Sequence, residues 1–368
     1  MERYFAKYEF EAPYLLSSSD CETFSIEELL SFDPQAISDF HSLKLGYTES
    51  LGDPELRSEI SKLYETVSSN DIIVFSGAEE GIFSFMNSLL SEGDEIIVQF
   101  PGYQSLFEVA NSIGAKVIRW EMDESSDWNL NLKFLETNIS IRTKAIVINN
   151  PHNPTGSLIS KELYLNIIQI AKKHNLFLFS DEVYRFTEFD EIDALEPAVD
   201  IYDKALSLGV MSKSLGLPGL RIGWLALKDK ELFDKISGFK DYTTICNSGP
   251  SEFLATLALK NKEIILTRNQ DLIKKNMRLL DDLFEKYSKF ISWVRPKGGS
   301  IGFARINKEI FQSSDKLSME LIKQKGVLLV PGTIFDFDDF HFRIGFGKAN
   351  LDECLIHLKS YFDNFLAD

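Results

Sequence analysis

Between residues 71 and 227, short apolar runs alternate with longer stretches in which apolar residues recur at helical spacing. The runs DIIVFSG, EIIVQFPGY, AKVIRW, KAIVINNP, LFLFSDEVY, ALSLGVMSK and RIGWLAL carry little polar alternation. Strands read this way when helices cover both faces of their sheet, so the pattern predicts a buried, mostly parallel α/β sheet. Between two of the runs, SKELYLNIIQIAKKHN places Leu163, Ile167, Ile170 and Ala171 at helical spacing. Ser160 is suited to cap its start, and Lys172 with Lys173 suits its end.

From about residue 251 the pattern changes. The passage SEFLATLALKNKEIILTRNQDLIKKNMRLLDDLFEKY is helical, with Leu272, Met277 and Leu280 near helical spacing, and short strands return around 302–306 and 341–346. No linker rich in Pro, Gly or Ser separates the two parts, and no repeat or low-complexity tract interrupts them. The expected organisation is a large domain over residues 36–255 and a smaller α/β lobe built from 1–35 and 256–368, the amino-terminal segment crossing over to join it.

Composition narrows the function. The chain has 368 residues, 44% of them hydrophobic, enough for one large or two moderate cores. Its 39 Lys and Arg against 56 Asp and Glu give a formal charge of -17, which repels nucleic acid and anionic lipid. An anionic ligand must therefore be held by a locally arranged site. The opening MERYFAKYEFEAPYLL lacks the apolar run of a signal peptide, and no window approaches the ~20 apolar residues of a membrane span, so a cytoplasmic location is expected. Cys21, Cys246 and Cys354 are widely separated and suggest neither a disulfide framework nor a zinc site.

Open α/β sheets place ligands at strand ends, and the residues just after these strands fit together. GAEEGIF follows DIIVFS, so Gly77 and Ala78 can bring a helix amino terminus to an anion; a plain strand-to-helix turn reads the same way. In PHNPTG two prolines frame Asn153, whose amide either binds a phenolate oxygen or bonds its own turn. LFLFSDEVY delivers Asp181 and Tyr184 at the end of a very apolar run. A carboxylate there either caps a helix or faces a buried cation such as a protonated ring nitrogen. In VMSKSLGLPGLRIGW, Lys213 follows Ser212; such a lysine can form a Schiff base where its surroundings favour the neutral amine, and Arg221 offers a two-pronged grip on phosphate.

PHNPTG, SDEVY and SKSLGLPGLRIGW, in this order and separation, resemble the class I/II aminotransferases of fold-type I, which use pyridoxal 5'-phosphate, and the resemblance covers essentially the whole chain. It implies an α/β fold with a mostly parallel, seven-stranded-type sheet sandwiched by helices. It further implies that Lys213 links to the cofactor aldehyde and shuttles the substrate proton, that Asp181 keeps the pyridine nitrogen protonated, and that Asn153 and Tyr184 bond the ring oxygen. Gly77, Ala78, Glu79, Ser212 and Arg221 would hold the phosphate end, and Tyr103 of FPGYQSL would stack on the ring. Tyr47 of KLGYTESLGDPELR would reach the phosphate of a neighbouring subunit, making the active unit a homodimer. Arg343 of HFRIGFG would pair with the substrate α-carboxylate, Asn153 beside it.

Two departures stand out. Val210 occupies a position where relatives often carry a hydroxyl, so the phosphate either has one donor fewer or takes one from Thr243, Thr244 or Ser248. In LLSSSDCETFSIEELL, Asp20 and Glu22 either face the substrate side chain, which would favour a cationic donor, or belong to a capping arrangement in which Asp20 or Thr23 starts the helix. The cofactor motifs alone do not separate amino transfer between an L-amino acid and a 2-oxo acid from β-elimination, cyclisation or oxidation. A non-catalytic cofactor-binding regulator is disfavoured, because the charge opposes DNA and the set of site residues is full.

Overall fold

The computed structural model describes residues 1–366. The strands in chain order are β1 (Tyr14–Leu15), β2 (Ile72–Phe75), β3 (Glu95–Phe100), β4 (Lys116–Asp123), β5 (Asn129–Leu130), β6 (Thr143–Asn149), β7 (Phe177–Asp181), β8 (Ala205–Val210), β9 (Gly223–Leu227), β10 (Ile291–Trp293), β11 (Ile301–Ile306), β12 (Val327–Leu328), β13 (Val330–Pro331) and β14 (His341–Gly345). All seven apolar runs become strands of one sheet, in the order β2-β9-β8-β7-β6-β3-β4-β5. Six of them run in one direction; β9 alone of the seven runs the other way, antiparallel to both its neighbours, and β5 is antiparallel to β4. Strand β5 was not expected, because two residues carry no periodicity.

Alternation explains why both faces are covered. Ile96, Val98, Ala145 and Val147 point into a core with Ile82, Phe85 and Met86 of the helix Ala78–Leu89. Their neighbours Ile97, Ile146 and Ile148 point the other way, onto Ile167, Ile168 and Ala171 of the helix Lys161–His174. Period-two geometry splits each apolar run between two cores, and each fully buried aliphatic contributes about 1.5–3 kcal/mol. The helix Lys161–His174 starts as expected, with the Ser160 hydroxyl accepting from the Leu163 amide.

The long helical passage is two helices, Gly249–Lys260 and Lys262–Lys286, broken at Asn261. In the second lobe β10, β11, β14 and β13 form an antiparallel sheet. Strand β1 pairs in parallel with β12, which sets Tyr14 and Leu15 beside Val327 and Leu328. The helix Ile26–Leu30 is capped by Ser25 in a reciprocal box with Glu28, not by Asp20 or Thr23. Ser25 stands three residues before Glu28, the spacing that lets both orphan amides be satisfied.

The chain leaves β3 toward β4 on one side of the sheet and runs from β6 to β7 and β8 on the other. Side connections that diverge like this open a crevice at the carboxyl ends of β3 and β6.

Candidate active site

A buried amide network fixes the floor of that crevice. Asn149, last residue of β6, takes its backbone bond from N–H to Gln99 Oε1 at 2.9 Å, and its side-chain amide donates to the Asp181 carbonyl at 2.9 Å. Its Oδ1 accepts from the Asn153 amide at 2.6 Å. One asparagine thus ties the ends of β3, β6 and β7 together and sets the PHNPTG turn, which presents the Asn153 side chain toward Arg343.

Two charges in this crevice lack a counter-charge. Asp181 is buried, and its carboxylate accepts only from the Val183 amide, at 3.2 Å. Burial pushes its pKa up to about 7, against the smaller opposing pull of that amide and of Lys213. Arg343 on β14 is 1% exposed; its Nη1 donates to Asn153 Oδ1 at 3.1 Å and its Nη2 to the Ser17 carbonyl at 2.8 Å, while Nε has no partner. Among the described residues no cation lies within ion-pair distance of Asp181 and no carboxylate within that of Arg343. Buried, unpaired charges cost several kcal/mol, on the order of 3–5 kcal/mol when a partner is lost, so both positions are suited to a ligand that brings the missing charge.

In the same cavity Lys213 Nζ donates to Ser19 Oγ at 2.7 Å and sits 5.8 Å from the centre of the Tyr184 ring. Tyr184 is buried and its hydroxyl has no hydrogen-bond partner. A phenol left unsatisfied beside a lysine is an acceptor or donor held ready.

The anion end lies at the start of the helix Ala78–Leu89. Gly77 precedes it with φ of +89°, and a Cβ there would sit 2.6 Å from Arg221 Nη2. Only glycine lets the guanidinium lie against the free amides of the helix, so two independent anion-binding devices share one spot. Arg221, exposed, uses only Nη1 internally, on the Pro218 carbonyl at 3.2 Å. Tyr103, at the end of β3, donates its hydroxyl to Glu79, which holds its ring on the cavity wall.

The residues expected to bind cofactor or substrate line one cavity of about 320 Å³, except Gly77 and Tyr47. Gly77 lies against Arg221 at its edge, and Tyr47 is 93% exposed and away from this chain's cavity. Asp20 is on the wall, but its carboxylate already accepts from Lys348 Nζ at 2.6 Å. Glu22 turns outward and accepts from the Ala349 amide at 2.7 Å, so it does not face a substrate. None of the three hydroxyls suggested to replace the one missing at Val210 reaches the cavity. Thr243 and Thr244 donate to Glu80, and Ser248 caps the helix Gly249–Lys260. Their own hydrogen bonds consume them.

The sequence reading missed part of the wall. Val183, between Asp181 and Tyr184, supplies an apolar surface, and its place inside SDEVY was the available signal. Ser17, Ser18 and Ser19 run across β14: the Gly345 amide donates to the Leu16 carbonyl at 2.7 Å, and any side chain at Gly345 would collide with the Ser18 carbonyl. Phe5 and Glu9, from the helix Glu2–Tyr8 and its end, also line the cavity. Seven residues with one half-buried face, too short to show periodicity, gave no warning of this.

The donor set fits pyridoxal 5'-phosphate: an anion cradle at one end, a buried carboxylate for a protonatable ring nitrogen, and a lysine within the same cavity. A family model described as aminotransferase class I and II matches residues 14–357. The glutamate-pyruvate aminotransferase AlaA of Escherichia coli is 32% identical over 320 residues, covering 81% of this chain and 77% of the relative. Capreomycidine synthase of Streptomyces vinaceus is 27% identical over 92% of this chain and 86% of its own length. A solved structure of a PLP-dependent aminotransferase from Streptococcus suis superposes with a TM-score of 0.92 at 30% identity, covering 99% of this chain and 97% of the other.

Proposed function

The chain belongs to the class I and II aminotransferases and is a pyridoxal 5'-phosphate-dependent transaminase, and we propose that Lys213, Asp181 and Arg343 are its principal working groups. The carrying observation is the pair of opposite uncompensated charges, Asp181 and Arg343, in one cavity with Lys213. Bound pyridoxal 5'-phosphate supplies an aldehyde carbon that takes up the amino group and a ring that spreads the negative charge of the reacting carbon.

The residues divide the remaining work. The Arg343 guanidinium binds the α-carboxylate shared by every amino acid and 2-oxo acid, and Asn153 Oδ1 keeps that guanidinium in one orientation. Lys213 Nζ takes the proton from the donor's α carbon and would hand it to the cofactor carbon that accepts the amino group, and in the second half-reaction it gives a proton to the α carbon of the 2-oxo acid; when free, the amine donates to Ser19 Oγ. Asp181 stays ionised against a ring cation, its buried position now an advantage because a dry environment strengthens the pairing. Tyr184 bonds the ring oxygen, Tyr103 covers the ring, and Arg221 with Ser212 and the amides at Gly77, Ala78 and Glu79 bind phosphate. The apolar walls at Val183 and Val210 exclude water from the reacting carbon.

The proposal extends to assembly and location. Arg221 is exposed at the rim with a free Nη2, and Leu45, Tyr47, Tyr242 and Ile245 are exposed apolar residues on the same chain. A second copy bringing Tyr47 to this rim would complete the phosphate site and cover those residues, giving a homodimer. The separation into a domain of residues 36–255 and a lobe of 1–35 with 256–368 belongs to the same reading. No helix among the described residues is long and apolar enough to cross a membrane. The buried free thiols Cys21 and Cys354 favour the cytoplasm.

The test is the absorption spectrum of the holoenzyme with acidic, aromatic, aliphatic and cationic amino acids, added without oxo acid. Conversion of the bound cofactor to its amine form, reversed by a 2-oxo acid, is expected. Release of ammonia and pyruvate from a β-substituted amino acid, or a cyclised product, would replace amino transfer with the other reactions that begin from the same proton removal.

A further inference from the structure

Once the α-carboxylate is on Arg343 and the amino group is beside Lys213, the donor's side chain must meet the rest of the wall. That remainder is contributed by Phe5, Glu9, Ser18 and Ile82, with Glu2 and Asp20 alongside. The cavity's cationic side chains, Lys213, Arg221 and Arg343, already have tasks, and the Met1 ammonium on the same wall donates to Gln104 Oε1. The wall carboxylates are Asp181, assigned above to the ring cation, Glu79, engaged by Tyr103, Asp20, engaged by Lys348, and Glu2 and Glu9.

Glu9 differs from an ordinary surface carboxylate in three ways. It is only half exposed, and among the described residues no hydrogen bond or ion pair engages its side chain. Burial, then the nearby Asp20 and Glu2 charges, push its pKa up, while Lys213 and Arg343 pull it down, so it senses the charges of the cavity. Its helix is anchored: Tyr4 donates to the Leu329 carbonyl at 2.7 Å and Phe5 packs on the core between the sheet and the second lobe. The family match starts at residue 14, so Glu2, Phe5 and Glu9 lie outside the part of the chain that the family model describes.

We propose that Glu9, with Glu2 beside it, is a specificity determinant that selects an amino donor with a cationic side chain, a guanidinium or an ammonium group. The proposal rests on the aminotransferase reading above. An anionic side chain would meet uncompensated repulsion on this wall, whereas a cation relieves the crowding of Glu2, Glu9 and Asp20. Asp20 itself, held by Lys348, contributes field rather than a direct bond.

The test compares arginine and lysine with norleucine as donors to the holoenzyme, for the wild type and for Glu9→Gln. The wild type should favour the cationic donors by at least roughly tenfold in kcat/KM, and Glu9→Gln should shrink that ratio by roughly tenfold, through KM, the size of one charge-assisted contact. Equilibrium binding to the wild-type holoenzyme gives a second readout that needs no turnover and no variant. There 4-guanidinobutyrate, which has the carboxylate and the guanidinium but no amino group, should bind more tightly than hexanoate. Equal binding of the two, or an unchanged donor ratio in Glu9→Gln, overturns the proposal while leaving amino transfer intact. Failure of every amino acid to convert the cofactor would instead overturn the aminotransferase reading, and this proposal with it.

Discussion

His341 and Arg343 stand two residues apart on β14, both buried, yet their surroundings are opposite. His341 enters a cluster with Asp338, Glu124 and Arg305 in which each charge has a partner. Its Nδ1 lies 2.7 Å from Asp338 Oδ1, and its Nε2 lies 3.2 Å from Glu124 Oε1, though without hydrogen-bond alignment. Arg305 reaches the same Glu124 at 3.2 Å, and Arg119 pairs with Asp336 nearby. Arg343 enters the cavity and finds only an amide oxygen and a carbonyl. The same strand therefore carries one charge satisfied by the fold and one left for something else. Saturation marks structure, and an uncompensated buried charge marks a ligand position.

The strongest way to break this contrast is to remove the cavity groups and ask whether the fold notices. Lys213→Ala should lower the rate of amino transfer by roughly a thousandfold or more, since it removes the proton carrier and the cofactor link together. Asp181→Asn should lower kcat by roughly a hundredfold to a thousandfold through loss of the electrostatic partner. Its effect on the apoprotein should have the opposite sign. A carboxyl group whose pKa rises on folding from 3.8 to about 7 binds its proton more tightly in the native state, so stability falls as pH rises from about 4 to about 7. Thermal melts of apo wild type and Asp181→Asn over that range should diverge, the variant being the more stable above pH 7. A variant melting well below wild type at pH 8 would mean Asp181 is a structural group after all.

Arg343→Gln comes next. It should raise KM for donor and acceptor alike, by about a hundredfold, because both substrates carry the α-carboxylate, while the melting temperature holds or rises. A larger KM change for one substrate than for the other would place Arg343 on a side chain instead of the shared carboxylate.

These same residues show what was legible beforehand. The seven strands came from apolar runs that needed no tertiary knowledge, and Asp181, Asn153 and Lys213 came from polar residues at the ends of those runs. The neighbouring Glu182 shows where such reasoning stops. It is buried like Asp181, but its Oε1 accepts from the Ala198 amide at 2.9 Å and from Ser207 Oγ at 2.8 Å, so it holds two elements together. Nothing in the string SDEVY separates the two acids; the partners lie 16 and 25 positions away. The pairing of Asp20 with Lys348 and the wall formed by Glu9 were hidden for the same reason. Contacts between residues more than 300 positions apart leave no local periodicity, and the two-residue strands β1 and β12 that bring those segments together leave none either.

The smallest effect should come from the satisfied side of the contrast. Burial alone would pull the His341 pKa down, but Asp338 and Glu124 outweigh it and hold the imidazole above its ordinary 6.5. A histidine raised on folding contributes its full stability below the unfolded value and loses it as pH rises through the folded one. Wild-type protein should therefore lose stability, read as a falling melting temperature, as pH rises from 6 to 9, and His341→Gln should lose measurably less over the same interval. At acid pH the sign turns: Glu124, lowered chiefly by the His341 imidazole 3.2 Å away, and Asp338, where the same imidazole outweighs the effect of burial, both titrate below their ordinary range, so their contribution disappears only as pH falls through those lowered values. Parallel melting curves for wild type and variant from pH 6 to 9 would mean that the imidazole is neutral in the cluster, and that the partners around it serve Arg305 alone.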